Sequence, residues 1–415
     1  MVAKRAESIT PFIVMEILEK AHAMEREGVD IIHMEVGEPD FDIPKCVKDA
    51  VFQAFDKSDT HYTHSLGKIE LREEICRYYK KIYGVIIEPD RIVVTSGTSP
   101  AMFLLFSTLL ENGDEIIVSN PHYACYPNFI NFLGGVPAFV PVYEKNAFQY
   151  TPEAIKEKIN SKTKGILINS PSNPTGNVLS KSQIKEIADI ADANSLYVIS
   201  DEIYHGLIYS GKDHSILEFT ENAFVLNGFS KLFAMTGLRL GYLIAPKQFM
   251  RAIQKMHQNF YISANSAIQM GGIAALKNAD KDVARMKEIY DKRRQYVVKR
   301  IKKMGLGITV EPTGAFYVFA NVKHLFDKKQ NNLSAGIENP DLKSEIKSQN
   351  FKTSDSQISS YKLAFDILEK AHVGVTPGID FGSNAEGYLR FSYANSMENL
   401  KEGLDRLEVY FKNAC

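Results

Sequence analysis

The sequence predicts an α/β protein with a large, mainly parallel seven-stranded sheet domain and a smaller α+β domain. From residue 91 onward, short apolar runs alternate with helical patterns. The runs are almost continuously apolar, which is typical of parallel strands that helices cover on both faces. After about residue 285 the pattern changes to strands with helices on one side. A length of 415 residues is enough for two or three domains.

The elements of the larger domain follow in chain order. An amphipathic opening helix is predicted over residues 12–27, because Ile13, Ile17, Ala21 and Met24 recur at helical spacing. The predicted strands are 92–94, 115–118, 138–140, 165–168, 196–199, 224–226 and 242–244. Helices are predicted between them at 100–110, 151–159 and 182–192. We expect the larger domain to span residues 46–284.

The smaller domain is predicted from residues 1–45 together with 285–415. Its strands are predicted at 308–310, 316–319, 373–375 and 388–391, and a long charged helix over 281–303 joins the two domains. Residues 327–360 are rich in Lys, Asn, Ser and Gln and almost lack aromatic residues. Because such a composition cannot bury much surface, we expect a mobile loop or a partly helical insertion there.

Composition narrows the classes of partner. The net charge of −1 gives no field that would attract nucleic acid or an anionic membrane. No run of about 18 apolar residues could span a bilayer, and no signal-peptide core forms near the N-terminus. The four cysteines lack Cys-x-x-Cys spacing and the ten histidines lack metal-ligand spacing. We therefore expect a cytoplasmic protein with no membrane or nucleic-acid partner and no metal site.

Polar residues follow several predicted strands, where ligands bind in parallel sheets. Ser96-Gly97-Thr98 precede a helix whose backbone N–H groups could bind a phosphate; a turn without a ligand is the alternative. Asp201 ends a buried strand, where a carboxylate is costly unless it is paired; a helix N-cap is the alternative. Arg390 lies in a strand, and its planar guanidinium suits a carboxylate ligand; a structural salt bridge is the alternative.

Six motifs occur in one consistent order along the chain. They are Gly37-Glu38-Pro39-Asp40, Asn173-Pro174-Thr175-Gly176, Asp201-Glu202-Ile203-Tyr204, Phe229-Ser230-Lys231, Gly237-Leu238-Arg239-Leu240-Gly241-Tyr242 and Arg390-Phe391-Ser392. From about residue 6 to the end, the chain resembles the class I aminotransferases, the aspartate aminotransferase family. The resemblance implies the fold type I architecture of transferases that depend on pyridoxal 5′-phosphate (PLP), with PLP as the cofactor.

The resemblance also implies a role for each residue. The implied cofactor-binding residues are Tyr62, Ser96, Gly97, Thr98, Tyr123, Asn173, Asp201, Tyr204, Ser230, Lys231 and Arg239. Lys231 would form a Schiff base with the aldehyde and then move a proton, and Asp201 would face the pyridine nitrogen. Tyr204 completes the implied catalytic set. The implied substrate-binding residues are Gly37, Asn173 and Arg390.

Within this scheme, Ser230, Arg239 and the 96–98 turn would hold the phosphate. Tyr123 would stack on the pyridine ring, and Tyr62 would reach the PLP phosphate of the neighbouring subunit. The last role implies a homodimer with shared active sites. For both tyrosines, simple packing is the alternative.

The implied reaction moves an amino group from an L-amino acid to a 2-oxo acid such as 2-oxoglutarate by a ping-pong mechanism. Aspartate enzymes of the most similar subgroup carry a lysine in the segment that here reads Thr98-Ser99-Pro100-Ala101. Because no cation stands there, aspartate-type, aromatic, alanine and broad specificity all stay open. A PLP-dependent carbon–sulfur β-lyase is a further alternative. A PLP-sensing regulator is disfavoured, because only 36 residues precede Gly37 and leave too little room for a DNA-binding domain.

Overall fold

The computed structural model describes residues 2–326 and 359–414. The helices are α1 (Lys4–Glu7), α2 (Ile13–Arg26), α3 (Lys45–Asp56), α4 (Ile69–Tyr83), α5 (Thr98–Leu109), α6 (Tyr126–Phe132), α7 (Pro152–Lys156), α8 (Lys181–Ala193), α9 (Met250–Phe260), α10 (Ser266–Asn278), α11 (Asp280–Lys303), α12 (Ser360–Ala371) and α13 (Met397–Ala414). The strands are β1 (Ile32–His33), β2 (Ile92–Thr95), β3 (Glu115–Asn120), β4 (Val136–Pro141), β5 (Thr163–Asn169), β6 (Tyr197–Asp201), β7 (Ala223–Gly228), β8 (Gly241–Ile244), β9 (Tyr317–Asn321), β10 (Val373–Gly374), β11 (Thr376–Pro377) and β12 (Tyr388–Ser392).

Seven strands form the large sheet, in the order β2-β8-β7-β6-β5-β3-β4. Strands β3 to β7 pair in parallel, whereas β8 is antiparallel to both of its neighbours, β2 and β7. The predicted mainly parallel, seven-stranded sheet is therefore confirmed. The α/β fold follows, because parallel strands need crossover connections and helices supply them.

Both faces of the large sheet are buried. Ile166 and Ile168 of β5 belong to one hydrophobic cluster, and Leu167 between them belongs to another. Because successive side chains of a strand point to opposite faces, the two clusters lie on opposite sides of the sheet. Helix α8 contributes Ile187 to the first cluster and α5 contributes Leu104 to the second. This two-sided burial explains why the strands read as continuous apolar runs.

Chain direction brings several strand ends together at one edge of the large sheet. Asn169 at the end of β5 stands opposite Asp201 at the end of β6. Gly228 at the end of β7 stands opposite Gly241, the first residue of the antiparallel β8, and Thr95 at the end of β2 also stands opposite Gly241. The segments that leave β2, β5, β6 and β7 therefore start from neighbouring points.

The C-terminal part contains a three-stranded antiparallel sheet, β11-β12-β9, and a parallel pair, β1-β10. The predicted strands at 316–319 and 388–391 are confirmed, and the run at 373–375 is divided between β10 and β11. The predicted strand at 308–310 is wrong. The backbone N–H of Thr309 donates to Oε1 of Glu144 at 3.0 Å, so a side chain takes the place of a strand partner.

The two predicted long helices are confirmed as α2 and α11. Helix α2 has no capping side chain of its own, and its first N–H groups, those of Ile13 and Val14, donate to the carboxylate of Asp380 at 2.9 and 3.4 Å. Burial raises the pKa of Asp380 to about 6. The division into residues 46–284 and 1–45 plus 285–415 stays a prediction.

The insertion predicted at 327–360 lies outside the described residues, except for its last two, where α12 begins at Ser360. Among the helices of the described ranges, none combines the length and the apolar composition needed to cross a membrane.

Candidate active site

Asp201 lies fully inside the protein at the end of β6. Its Oδ2 accepts a hydrogen bond from the Tyr126 hydroxyl at 2.7 Å, and its Oδ1 accepts one from the Ile203 N–H at 3.2 Å. Burial raises the pKa of Asp201 to about 6, and these hydrogen bonds act in the opposite direction. No helix begins at Asp201, so the N-cap alternative does not apply. A buried carboxylate with two neutral donors is suited to a cationic partner.

Lys231 follows the end of the neighbouring strand β7. Its Nζ donates to the backbone carbonyl of Gly37 at 2.6 Å and lies 5.9 Å from the centre of the Phe316 ring. The structure therefore brings Lys231 and the predicted Gly37 loop together across 194 positions of sequence. Burial lowers the pKa of Lys231 to about 8. A larger fraction of this amine is therefore neutral, and so nucleophilic, at physiological pH than for an ordinary lysine.

The turn of Ser96, Gly97 and Thr98 leads from β2 into α5, which begins at Thr98 without a capping side chain. A Cβ on Gly97 would overlap the Arg239 guanidinium, whose Cζ would lie 3.0 Å away, so the guanidinium sits against this turn. Nη1 of Arg239 donates to the carbonyl of Thr236 at 3.0 Å. Ser230 is buried directly after β7. Uncapped helix N–H groups beside an arginine form an anion site.

Arg390 on β12 is 2 % exposed. Its Nη1 donates to Oδ1 of Asn173 at 2.8 Å, and its Nη2 donates to Oγ1 of Thr376 at 3.1 Å and to the backbone carbonyl of Glu35. Its Cζ lies 4.4 Å from the Tyr317 ring centre. Within the described residues, Arg390 has no carboxylate partner and its Nε has no acceptor. The salt-bridge alternative therefore does not apply there.

Tyrosine side chains contact several of these site residues. The Tyr204 and Tyr317 hydroxyls are 2.7 Å apart, and a Cβ on Gly37 would overlap the Tyr317 ring. The Tyr123 ring packs edge-on against Tyr126, with centres 5.3 Å apart. Tyr204 thus lies next to the Gly37 loop, and Tyr123 lies next to the hydrogen-bond donor of Asp201.

Tyr62 lies apart from this constellation. Its side chain is 82 % exposed in the single chain. The structure of one chain therefore brings together the other predicted residues but leaves Tyr62 at the surface.

The Gly37 loop is fixed on two sides. The Thr236 hydroxyl donates to Oε1 of Glu38, which joins the loop to the segment after Lys231. Asp40 accepts two parallel hydrogen bonds from Arg293 of α11, at 2.7 and 2.8 Å. Arg293 is itself buried, and its guanidinium lies 5.0 Å from the Phe41 ring centre. A bidentate pair of this kind restricts orientation as well as position.

Four site residues were not identified from the sequence. They are Glu35, Tyr126, Tyr317 and Thr376. Tyr317 was assigned only to an apolar strand, and Glu35 acts through its backbone carbonyl, which no residue pattern reveals. A phenol in a buried strand is a weak signal that could have indicated Tyr317, because buried tyrosine hydroxyls usually have a partner.

The family model for aminotransferases of class I and II matches residues 29–407. The chain belongs to this family. Two curated relatives are 40% identical: the (5-formylfuran-3-yl)methyl phosphate transaminase of Methanocaldococcus jannaschii, with 99% of each chain covered, and the aspartate aminotransferase of Pyrococcus horikoshii, with 98% of this chain and 96% of the relative covered. The structure of aspartate aminotransferase from Thermus thermophilus with maleate is 32% identical, with a TM-score of 0.87 over 99% of both chains.

Members of the aminotransferase family depend on PLP, and two features of this chain fit that group. The uncapped start of α5, with Gly97 and Arg239, suits a phosphate. Asp201, whose hydrogen-bond donors are neutral, suits a protonated ring nitrogen. Lys231 lies near both features, because its pKa, which burial lowers, is also affected by the charges of Arg239 and Asp201.

We expect Gly97→Ala to weaken PLP affinity by at least about 10-fold, because the new methyl group displaces the Arg239 guanidinium. Gly113→Ala is the matched control. Gly113 has a similar φ of +88°, against +95° for Gly97, but a Cβ there would meet no atom within 4 Å. Both variants place an alanine at a positive φ, and equal PLP affinities in fluorescence titrations would contradict the assignment of this anion pocket.

Proposed function

We propose that this aminotransferase binds PLP through Lys231 and moves an amino group between an L-amino acid and a 2-oxo acid by a ping-pong mechanism. The observation that carries the proposal is the convergence of three groups from separate elements: the amine of Lys231, the carboxylate of Asp201 and the guanidinium of Arg390. Asn173 contacts Arg390 directly, and Tyr204 contacts Tyr317, whose ring lies against Arg390.

Each residue has a distinct task in this proposal. When bound, PLP supplies an electron sink for the carbanion that forms at the substrate Cα. Asp201 accepts a hydrogen bond from the ring nitrogen and keeps its proton in place. Lys231 carries a proton on Nζ to and from the substrate carbon, which its lowered pKa favours. Arg390 binds the substrate α-carboxylate, and its free Nε and planar fork suit that ligand.

The remaining predicted residues bind the cofactor in this proposal. Ser96, Gly97, Thr98, Ser230 and Arg239 hold the phosphate. Tyr123 would pack on the ring, and the hydroxyl of Tyr204 and the amide of Asn173 would donate to its 3′-oxygen. The carbonyl of Gly37, which accepts from Lys231, positions that amine.

The second part of the proposal concerns which substrate side chains the enzyme accepts. Relatives include enzymes named for aspartate, for aromatic amino acids and for a phosphorylated formylfuran. The segment 98–101 carries no cation, and the Phe12 ring lies 6.0 Å from the Tyr123 ring centre. Segment 98–101 thus offers no charged partner for a second substrate carboxylate, which suits broad specificity. We propose aspartate-type or broad specificity, with an aromatic or alanine aminotransferase as the second candidate. We also propose a cytoplasmic homodimer in which Tyr62 contacts the partner's PLP phosphate.

A panel of amino donors with 2-oxoglutarate and pyruvate tests the reaction and the second candidate together. We expect a cofactor absorbance change with each true donor. We expect 2-oxo acid formation beyond one equivalent per site only when an acceptor is present. Arg390→Ala should raise KM for every donor, with a loss of roughly 2–5 kcal/mol in kcat/KM, because all donors share the α-carboxylate. Pyruvate released from cystathionine without an acceptor would instead identify a β-lyase.

The lowered pKa of Lys231 predicts how reconstitution depends on pH. Only the neutral amine attacks an aldehyde, so the rate of covalent PLP attachment should rise with pH and level off above about pH 8. Borohydride trapping at timed intervals, followed by peptide mapping, measures this rate at Lys231. A rate that kept rising to pH 10 would show an ordinary lysine, and a label on another lysine would overturn the assignment.

Subunit mixing tests the shared site. Tyr62→Ala and Lys231→Ala are each expected to be poorly active, and the two chains are unfolded and refolded together. In a shared-site dimer, the hybrid pairs Lys231 of one chain with Tyr62 of the other and regains one intact site. We therefore expect up to about half of wild-type activity per hybrid, because a single restored site carries the reaction.

Tyr143→Ala is the control for this mixing, because Tyr143 is also an exposed tyrosine. It should keep its activity as a homodimer. Hybrids that form but regain no activity would place Tyr62 outside the partner's site.

A further inference from the structure

Three potential metal ligands meet on the surface of the N-terminal part. His22 and Glu25 are three residues apart on α2 and so share one face of that helix. His33 at the end of β1 faces them: its Nε2 lies 3.1 Å from Oε1 of Glu25, and Nε2 of His22 lies 4.0 Å from Oε2 of Glu25. One ligand atom from each residue lies within 4.8 Å of the others.

The other ring nitrogen of His33, Nδ1, is hydrogen-bonded to a buried carboxylate. Nδ1 lies 2.6 Å from Oε1 of Glu35, whose side chain is fully buried. Within residues 2–326 and 359–414, Oε2 of Glu35 has no hydrogen-bond partner. A carboxylate that accepts from Nδ1–H fixes the ring so that Nε2 points outward, which is the usual support of a metal-binding histidine.

Against the expectation from the sequence of no metal site, we propose that His22, Glu25 and His33 bind a divalent transition-metal ion of the zinc type. Two imidazole nitrogens and one carboxylate oxygen form a set of donors that binds zinc in preference to magnesium or calcium. A tetrahedral zinc site needs its ligand atoms about 3.4 Å apart. Two of the observed separations are 3.1 and 4.0 Å and all lie within 4.8 Å, so the ligands must move closer together. His22 and Glu25 are exposed enough, at 52% and 38%, to make this adjustment. Three protein ligands leave one position for water.

Zinc binding requires the loss of a proton from His33. The hydrogen bond to Glu35, helped by Glu25, raises the pKa of His33 to about 9, so zinc must displace a proton from Nε2. The titration is therefore run at pH 8. The bound ion would fasten α2 to β1 directly. The proposal concerns this surface and is independent of the amino-transfer reaction proposed above.

Zinc binding is measured on the full chain after metal removal, by competition with a chromophoric zinc indicator. We expect one competing zinc ion per chain, and an affinity about 10-fold or more weaker in His22→Ala and in Glu25→Gln. Both side chains are exposed, so both variants should fold. His324→Ala, which removes an exposed histidine outside the cluster, should bind zinc as the wild type does.

Magnesium at millimolar concentration should not compete, because it disfavours nitrogen ligands. Zinc binding that is equal in wild type, His22→Ala and Glu25→Gln would place the ion elsewhere and overturn the proposal. Absence of stoichiometric binding to the wild type would overturn it as well.

Discussion

The buried guanidinium of Arg390 is the constraint on which the site depends. Burying a charge is costly unless hydrogen bonds compensate for it, and here the acceptors come from three distant parts of the chain. Asn173 follows β5 of the large sheet, Thr376 belongs to β11, and the carbonyl of Glu35 follows β1. Because all three must be in place, Arg390 holds the loop after β5, the small sheet and the N-terminal segment in one arrangement.

The acceptors of Arg390 are neutral, and this has a functional consequence. Among the described residues, no carboxylate forms an ion pair with it, and two aromatic rings flank it, those of Tyr317 and Phe381 at 4.4 and 4.9 Å. The positive charge is therefore hydrogen-bonded without being neutralised. In the proposed function, a substrate carboxylate that entered this region would gain an interaction that the protein itself leaves unmade.

The fold could be predicted from the sequence because local patterns determine it. The inner strands of the large sheet, such as β6, β7 and β8, are buried on both faces, so they read as apolar runs whatever their partners are. The strand predicted at 308–310 failed because the partner of Thr309 is the side chain of Glu144, 165 positions away. Contacts between residues far apart in the sequence also explain why Tyr126 and Tyr317 were not identified as site residues. Tyr126 reaches Asp201 across 75 positions, and Tyr317 reaches Tyr204 across 113. Spacing along the chain carries no signal for such pairs.

Burial acts on the two central titratable groups in opposite directions. It penalises the charged form of each, so it lowers the pKa of Lys231 to about 8 and raises that of Asp201 to about 6. Both values move towards neutrality, and for the amine this is the range in which a proton is exchanged readily at physiological pH. The hydrogen bond from Tyr126 limits the shift at Asp201, so that this carboxylate stays largely ionised at neutral pH. Exclusion of water at the strand ends thus makes it easier for Lys231 to give up a proton, whereas the hydrogen bond from Tyr126 keeps Asp201 able to hold a cation.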